Sequence, residues 1–427
     1  MSRHPLLVST LLVLSACPGN SPGSDDGESA STHLTGSGID LTTKNASTAG
    51  PDATTEDPTP TTSAESGSST TGFNCGVQGI TAKVRIPRVM LVLDKSGSMV
   101  AAGSGYWDAD GDDADDDGFV DGDPNMALAT PKVTRWNSLH AVVDTIVTNF
   151  EERMNFGAVL FPSVDATSKT NASACPVKPE PDVAVAENNG ATILTTIPPA
   201  DATDAIKGGT PAAAGIMTAV GGLPRMEMLA EEDDLRFIVL VTDGAANCAA
   251  DAVDVATRFD EYDEQLPQFV ADAHTAGIST FVVGIDIKNV ASPITPDGNP
   301  DGINPYEKLN EVAELGGMPR DGAEKFYNTE NQLELQAALD AIGDVIVDCT
   351  FALDPTLDKY QYVRELVVDP KGPAPLKYDV QEITDCGTES GWHFTDATRS
   401  AIQLCGDACS LYKASGDVNI VFDCLSP

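Results

Sequence analysis

The residues best suited to chemistry are oxygen donors gathered in three short motifs. Asp94-Lys95-Ser96-Gly97-Ser98 puts one carboxylate and two hydroxyls at alternate positions of a single loop. Gly208-Gly209-Thr210-Pro211 adds a hydroxyl just ahead of a helical stretch, and Thr242-Asp243-Gly244 adds a second carboxylate. Hydroxyl and carboxylate oxygens suit Mg²⁺, Mn²⁺ or Ca²⁺ rather than zinc or copper. A denser feature lies at 108–123, which reads DADGDDADDDGFVDGD, nine aspartates in sixteen positions. A like-charge run of that density repels itself unless it is neutralised.

Nothing comparable points to catalysis. The histidines are His4, His33, His140, His274 and His393, and none belongs to a recognisable catalytic pattern. No HExxH motif or phosphate-binding loop is present, and Gly208-Gly209 reads as a turn rather than a dinucleotide fingerprint. The chain is therefore expected not to be an enzyme.

The elements that must position the oxygens alternate in type. Val89 to Leu93 is a continuous apolar run, as expected of a strand buried on both faces. Trp136 to Phe150 has helical spacing, Asn155 to Phe161 is a second strand, and Val183-Ala184-Val185 is a short edge strand. Arg236 to Val241 and Ser279 to Ile285 are further strands, and Lys325 to Asn328 is a short one. Leu266 to Ala276, Tyr306 to Leu315 and Gln332 to Val347 are helices. This order predicts an α/β fold, a doubly wound and mostly parallel sheet with helices on both faces. Such sheets bind ligands at the carboxyl ends of their strands, where the motifs fall.

The ordered set DxSxS, GGTP and TDG resembles the metal-ion-dependent adhesion site of von Willebrand factor type A domains, over about residues 75–349. The resemblance implies a Rossmann-like fold in which Asp94, Ser96, Ser98, Thr210 and Asp243 hold Mg²⁺, or Mn²⁺ or Ca²⁺. Ser96 and Ser98 are the implied direct ligands; Thr210 and the two acids bind directly or through water. Lys95 is then a permitted filler. The implied partner is a protein that presents an Asp or Glu carboxylate to the ion.

Within the acidic run, Asp113, Asp115, Asp117, Gly118 and Asp121 are similar to the first nine positions of an EF-hand or thrombospondin type 3 calcium loop. Pro124 stands where an EF-hand has its bidentate Glu; Asp123 is a substitute, and Asp108, Asp110 and Asp112 are candidates for a second ion. Ca²⁺ is the expected occupant of this insertion.

Residues 1–16 have the basic start and short apolar core of an export signal, and Leu14-Ser15-Ala16-Cys17 resembles the lipobox of bacterial lipoproteins. Cys17 is the expected lipidation site, which implies a bacterial cell envelope; Pro18 is not the Asp of inner-membrane retention, so the reading leans to the outer membrane. Residues 17–72, rich in Ser, Thr, Gly and Pro, cannot bury enough surface to fold and read as a disordered tether. Eight cysteines remain, an even number suited to an oxidising compartment. In the expected fold, Cys75–Cys349 would close the domain at its base and Cys175–Cys248 would join two loops of the metal face. Cys386, Cys405, Cys409 and Cys424 would pair among themselves, in one of three ways. They belong to residues 350–427, read as a small Cys-rich β domain at the C-terminus.

Charge narrows the partners. The chain has 427 residues and a formal net charge of −40. That disfavours nucleic acid and electrostatic docking on anionic lipid, leaving the lipid anchor as the membrane contact. The expected function is a lipid-anchored envelope protein that binds a protein partner through a divalent ion. The alternatives are a structural or calcium-storing envelope protein, or a non-catalytic accessory subunit of an envelope complex.

Overall fold

A computed structural model describes residues 81–424 apart from 102–104, 114–116, 169–170, 228–233, 250–256, 296–297, 355, 358–360, 373–375, 379–382, 385 and 388. The signal, Cys17, the tether, Cys75 and Asp115 lie outside the described residues. In chain order the first elements are β1 (Thr81–Val84), β2 (Arg88–Asp94), β3 (Tyr106–Trp107), β4 (Val133–Thr134), α1 (Arg135–Phe150), β5 (Asn155–Phe161) and β6 (Val183–Ala186). Next come α2 (Gly190–Thr196), α3 (Ala212–Gly221), β7 (Arg236–Thr242), α4 (Gln265–Thr275), β8 (Ile278–Ile285), α5 (Pro305–Leu315), β9 (Tyr327–Thr329) and α6 (Gln332–Ile346).

Six of these strands form one sheet in the order β6-β5-β2-β7-β8-β9. From β5 to β9 all neighbours are parallel; β6 is the antiparallel edge. The double burial of β2 follows from its sequence. Val89, Leu91 and Leu93 point into a core shared with α1, α2 and α6, while Met90 and Val92 point into one shared with α3, α4 and α5. Helices thus cover both faces, and every residue of β2 is buried. The chain leaves β2 toward β5 on one side and later runs from β7 to β8 on the other. The reversal opens a crevice at the carboxyl ends of β2 and β7.

The chain then continues as β10 (Thr350–Asp354), β11 (Gln361–Val368), β12 (Leu376–Tyr378), β13 (Gly391–Phe394), β14 (Ala401–Cys405), α7 (Asp407–Ser415) and β15 (Val418–Cys424). Two antiparallel sheets result, β1-β10-β14-β13 and β12-β11-β15. Their buried side chains, among them Phe351, Leu366, Trp392, Ile402 and Tyr412, belong to the same apolar cluster as α1 and α6. Residues 350–424 therefore share a core with the α/β layer, and β1 pairs with β10 from the other end of the chain.

The disulfides differ in part from expectation. Cys175 and Cys248 are joined, with Cα atoms 5.8 Å apart. Cys349 bonds Cys409 instead of Cys75, and Cys386 bonds Cys405. The correction has a local cause: Cys409 sits on α7, a helix absent from the β-only expectation for this segment, and α7 packs beside β10 through Phe351 and Tyr412, whose rings meet edge-on at 4.9 Å. Cys409 consequently does not pair within the C-terminal four. Among the described residues no helix is long and apolar enough to cross a membrane.

Candidate metal centre

The three motifs meet at the crevice. Asp94 ends β2 with its side chain fully buried; one carboxylate oxygen accepts the Ser96 backbone N–H at 2.7 Å and the other accepts the Thr242 hydroxyl at 2.7 Å. The Ser96 and Ser98 hydroxyls lie 2.8 Å apart, and the Ser98 hydroxyl donates to Asp243 at 2.7 Å. One bonded network thus joins Asp94, Ser96, Ser98 and Asp243, its ends 149 residues apart in sequence.

Thr210 enters through its backbone. The Gly208 carbonyl accepts the Gly97 N–H at 3.1 Å, which sets the two loops edge to edge. Asn247 then holds Thr210 at both ends: its side-chain oxygen accepts the Thr210 N–H at 2.7 Å, and its own N–H donates to the Thr210 carbonyl at 3.0 Å. Gly208 must be glycine on two counts. Its φ is +112°, and a Cβ there would lie 2.5 Å from the Ala174 carbonyl oxygen.

Side chains outside the expected ligand set also shape the site. Lys95 is fully buried, and its ammonium donates to the carbonyls of Ala205 (2.9 Å) and Lys207 (3.4 Å), steadying the approach to Thr210. Burial lowers its pKa to about 8. Arg135, the first residue of α1, donates to Asp243 at 3.1 Å and forms an ion pair with Asp286, just past β8. The signal for Lys95 was a cation inside a buried acidic motif. For Arg135 and Asp286, 151 residues apart, there was none.

The electrostatics favour a cation. Burial, then the charge of Asp243, raise the Asp94 pKa to about 7; burial also raises that of Asp243, opposed by Arg135. Two buried carboxylates this close resist being ionised together unless positive charge joins them. The donors are all oxygens, and a serine that gives its proton to Asp243 keeps lone pairs for an ion. The residues present therefore fit a hard divalent cation. Asp94, Ser96, Ser98 and Asp243 would hold it, with Thr210 beside them.

The acidic insertion packs at the same edge of the sheet. Gly111 lies against Asn331, which caps the start of α6 directly after β9. Carboxylate oxygens of Asp108, Asp110 and Asp112 lie within 4.8 Å of one another. The Thr130 hydroxyl donates to Asp110 at 2.9 Å. Asp113, Asp117 and Asp123 instead accept backbone N–H groups of Gly118, Phe119 and Asn125, closing local turns. Asp113 and Asp121 still flank the trio: the Asp113 N–H donates to Asp108, and the Asp121 N–H to the Asp112 carbonyl. Elsewhere, Cys386, His393 and Cys405 are close together, but the two sulfurs are bonded to each other and cannot act as thiolate ligands.

No known family profile matches the sequence, and no curated protein matches it. Solved structures overlap it in part. The conserved hypothetical protein BatB from Bacteroides thetaiotaomicron is 16% identical, with 60% of this chain and 98% of that one covered, at a TM-score of 0.34. The vWF domain of a type V pilus tip protein from Porphyromonas gingivalis is 12% identical, with 62% and 96% covered, at 0.36. Proximal thread matrix protein 1 of the mussel byssus, with a zinc-occupied MIDAS motif, is 12% identical, with 63% and 50% covered, at 0.34.

Proposed function

We propose that this chain is a non-enzymatic, metal-dependent binding protein of the bacterial envelope, built on a von Willebrand factor type A-like domain and lipid-anchored through Cys17. The observation that carries the reading is the hydrogen-bonded convergence of Asp94, Ser96, Ser98 and Asp243 at the crevice between β2 and β7. Mg²⁺ is the proposed resident, with a coordination position left for an Asp or Glu of a protein partner. Ca²⁺ is the proposed occupant of the acidic insertion, supported by the Asp108, Asp110 and Asp112 trio.

The test has two parts on the full chain in detergent. Mn²⁺ titration followed by electron paramagnetic resonance should show a site that Ser98→Ala removes. Envelope proteins retained in Mg²⁺ should elute with EDTA and should not be retained by Asp243→Ala. Equal Mn²⁺ binding by wild type and Ser98→Ala would refute the metal centre. Retention that ignores EDTA would refute the metal-dependent contact.

A further inference from the structure

Arg135 occupies a position where a cation is locally unfavourable. It is the first residue of α1, at the positive end of the helix dipole, and the first turn carries no acidic residue to offset it. It is also buried, at 8% exposure. Its guanidinium spans two carboxylates on different strand ends, Asp243 after β7 and Asp286 after β8. A planar fork suits that task as an ammonium does not. Asp286 is itself held in the left-handed region at φ +54° and also meets the exposed Lys288 ammonium at 2.7 Å.

Both oxygens of Asp243 are thereby engaged, one by Ser98 and one by Arg135. An ion seated on the serine hydroxyls would meet Asp243 through Ser98 or a water. We infer that Arg135 is a positioning residue that tethers Asp243 one step back from the ion and sets the charge of the centre, so that the ion keeps its attraction for an external carboxylate. The inference rests on the metal-centre reading above. A divalent ion with Asp94 and Asp243 alone is neutral and exerts little pull on an anion. Arg135 shifts that balance one charge toward the positive, beside the buried Lys95 ammonium that already acts on Asp94, and so favours a partner's Asp or Glu. Asp286 moderates that shift by sharing the guanidinium.

The experiment compares Mn²⁺ affinity at the Ser98-dependent site with binding of acetate to the bound Mn²⁺, read from relaxation of the acetate protons. Arg135→Gln should bind Mn²⁺ roughly tenfold more tightly, since a nearby positive charge is lost, and should bind acetate several-fold more weakly. Asp286→Asn should act with the opposite sign on Mn²⁺, and its effect should shrink in the Arg135→Gln background. Arg135→Lys should restore acetate binding in part. Unchanged or weaker Mn²⁺ binding by Arg135→Gln would overturn the inference. If Arg135→Gln does not fold, Asp286→Asn decides: weaker Mn²⁺ binding supports it, and equal or tighter binding overturns it. A wild type without a Ser98-dependent site would instead overturn the metal centre itself.

Discussion

Replacing a proposed ligand should stabilise the metal-free protein. Asp94 is wholly buried, and its pKa stands at about 7 in the fold against 3.8 as an ordinary side chain, chiefly through burial and then through Asp243. A raised folded pKa in an acid means that the unfolded chain releases the proton first as pH rises. Stability from this group is present below about pH 4 and is lost progressively up to about pH 7. A gap of roughly three pH units at about 1.4 kcal/mol each gives a loss of about 4 kcal/mol. Asp94→Asn keeps the shape of the protonated acid and cannot ionise. In EDTA, urea unfolding of Asp94→Asn and wild type should agree near pH 4, and the variant should be the more stable by a few kcal/mol at pH 7.5. Mg²⁺ at a hundredfold excess over Kd should close most of that gap, because the ion stabilises only the fold that binds it, by about 2.7 kcal/mol. A variant less stable than wild type in EDTA at pH 7.5, or a wild type indifferent to Mg²⁺, would show the reasoning to be wrong.

Other perturbations separate the site from its frame. Lys95→Met leaves the Ala205 and Lys207 carbonyls without their donor; the expected cost is about 1–3 kcal/mol in urea unfolding. Asp234→Ala leaves the Arg88 guanidinium without its carboxylate and takes one partner from Arg236, which keeps the Leu223 and Ala276 carbonyls, at the amino ends of β2 and β7. It should cost about 3–5 kcal/mol while the affinity of the folded protein for Mn²⁺ stays the same. Cys409→Ser opens a loop of 60 residues; chain entropy predicts a loss of about 4 kcal/mol, read from denaturation under oxidising and reducing conditions.

The central sheet was legible because its strands are continuous apolar runs that few other structures can use. The expected strand at Asn155 to Phe161 coincides with β5, and the expected helix at Trp136 to Phe150 differs from α1 by one residue. The four carboxylate and hydroxyl donors were legible because they lie on loops that follow such runs. What local pattern could not reveal was long-range or weakly amphipathic. The nine residues of α7 place Ala408, Leu411 and Tyr412 on one face, a stripe of a single turn and too short to stand out among the neighbouring strands, and the partner of Cys349 was missed with them. Arg135 reads as an ordinary helix residue until β7 and β8 bring Asp243 and Asp286 to it.

The loops that carry the donors are fixed before any ion arrives. Cys175–Cys248 ties the segment ahead of Gly208 to the segment after Asp243, and Asn247, beside the bridge, holds Thr210 by two hydrogen bonds. Gly209 passes so close that a Cβ there would lie 2.5 Å from the Cys248 sulfur. An ion entering such a frame has little backbone to order, so most of its binding energy survives as affinity. The rearrangement left to it is small: the Ser96 hydroxyl must turn away from Ser98, while Ser98 can keep its bond to Asp243. The restraint also opposes a distortion that the carboxylates themselves would drive. Two buried carboxylates repel each other in the metal-free fold, and loops free to move would relieve that strain by carrying Asp243 away from Asp94. Breaking the bridge by Cys248→Ser should therefore weaken Mn²⁺ binding by more than the same loss of global stability does in Cys409→Ser, since only the former clamps the donor loops. Equal Mn²⁺ affinities in the two folded variants would mean that the hydrogen bonds alone hold the site.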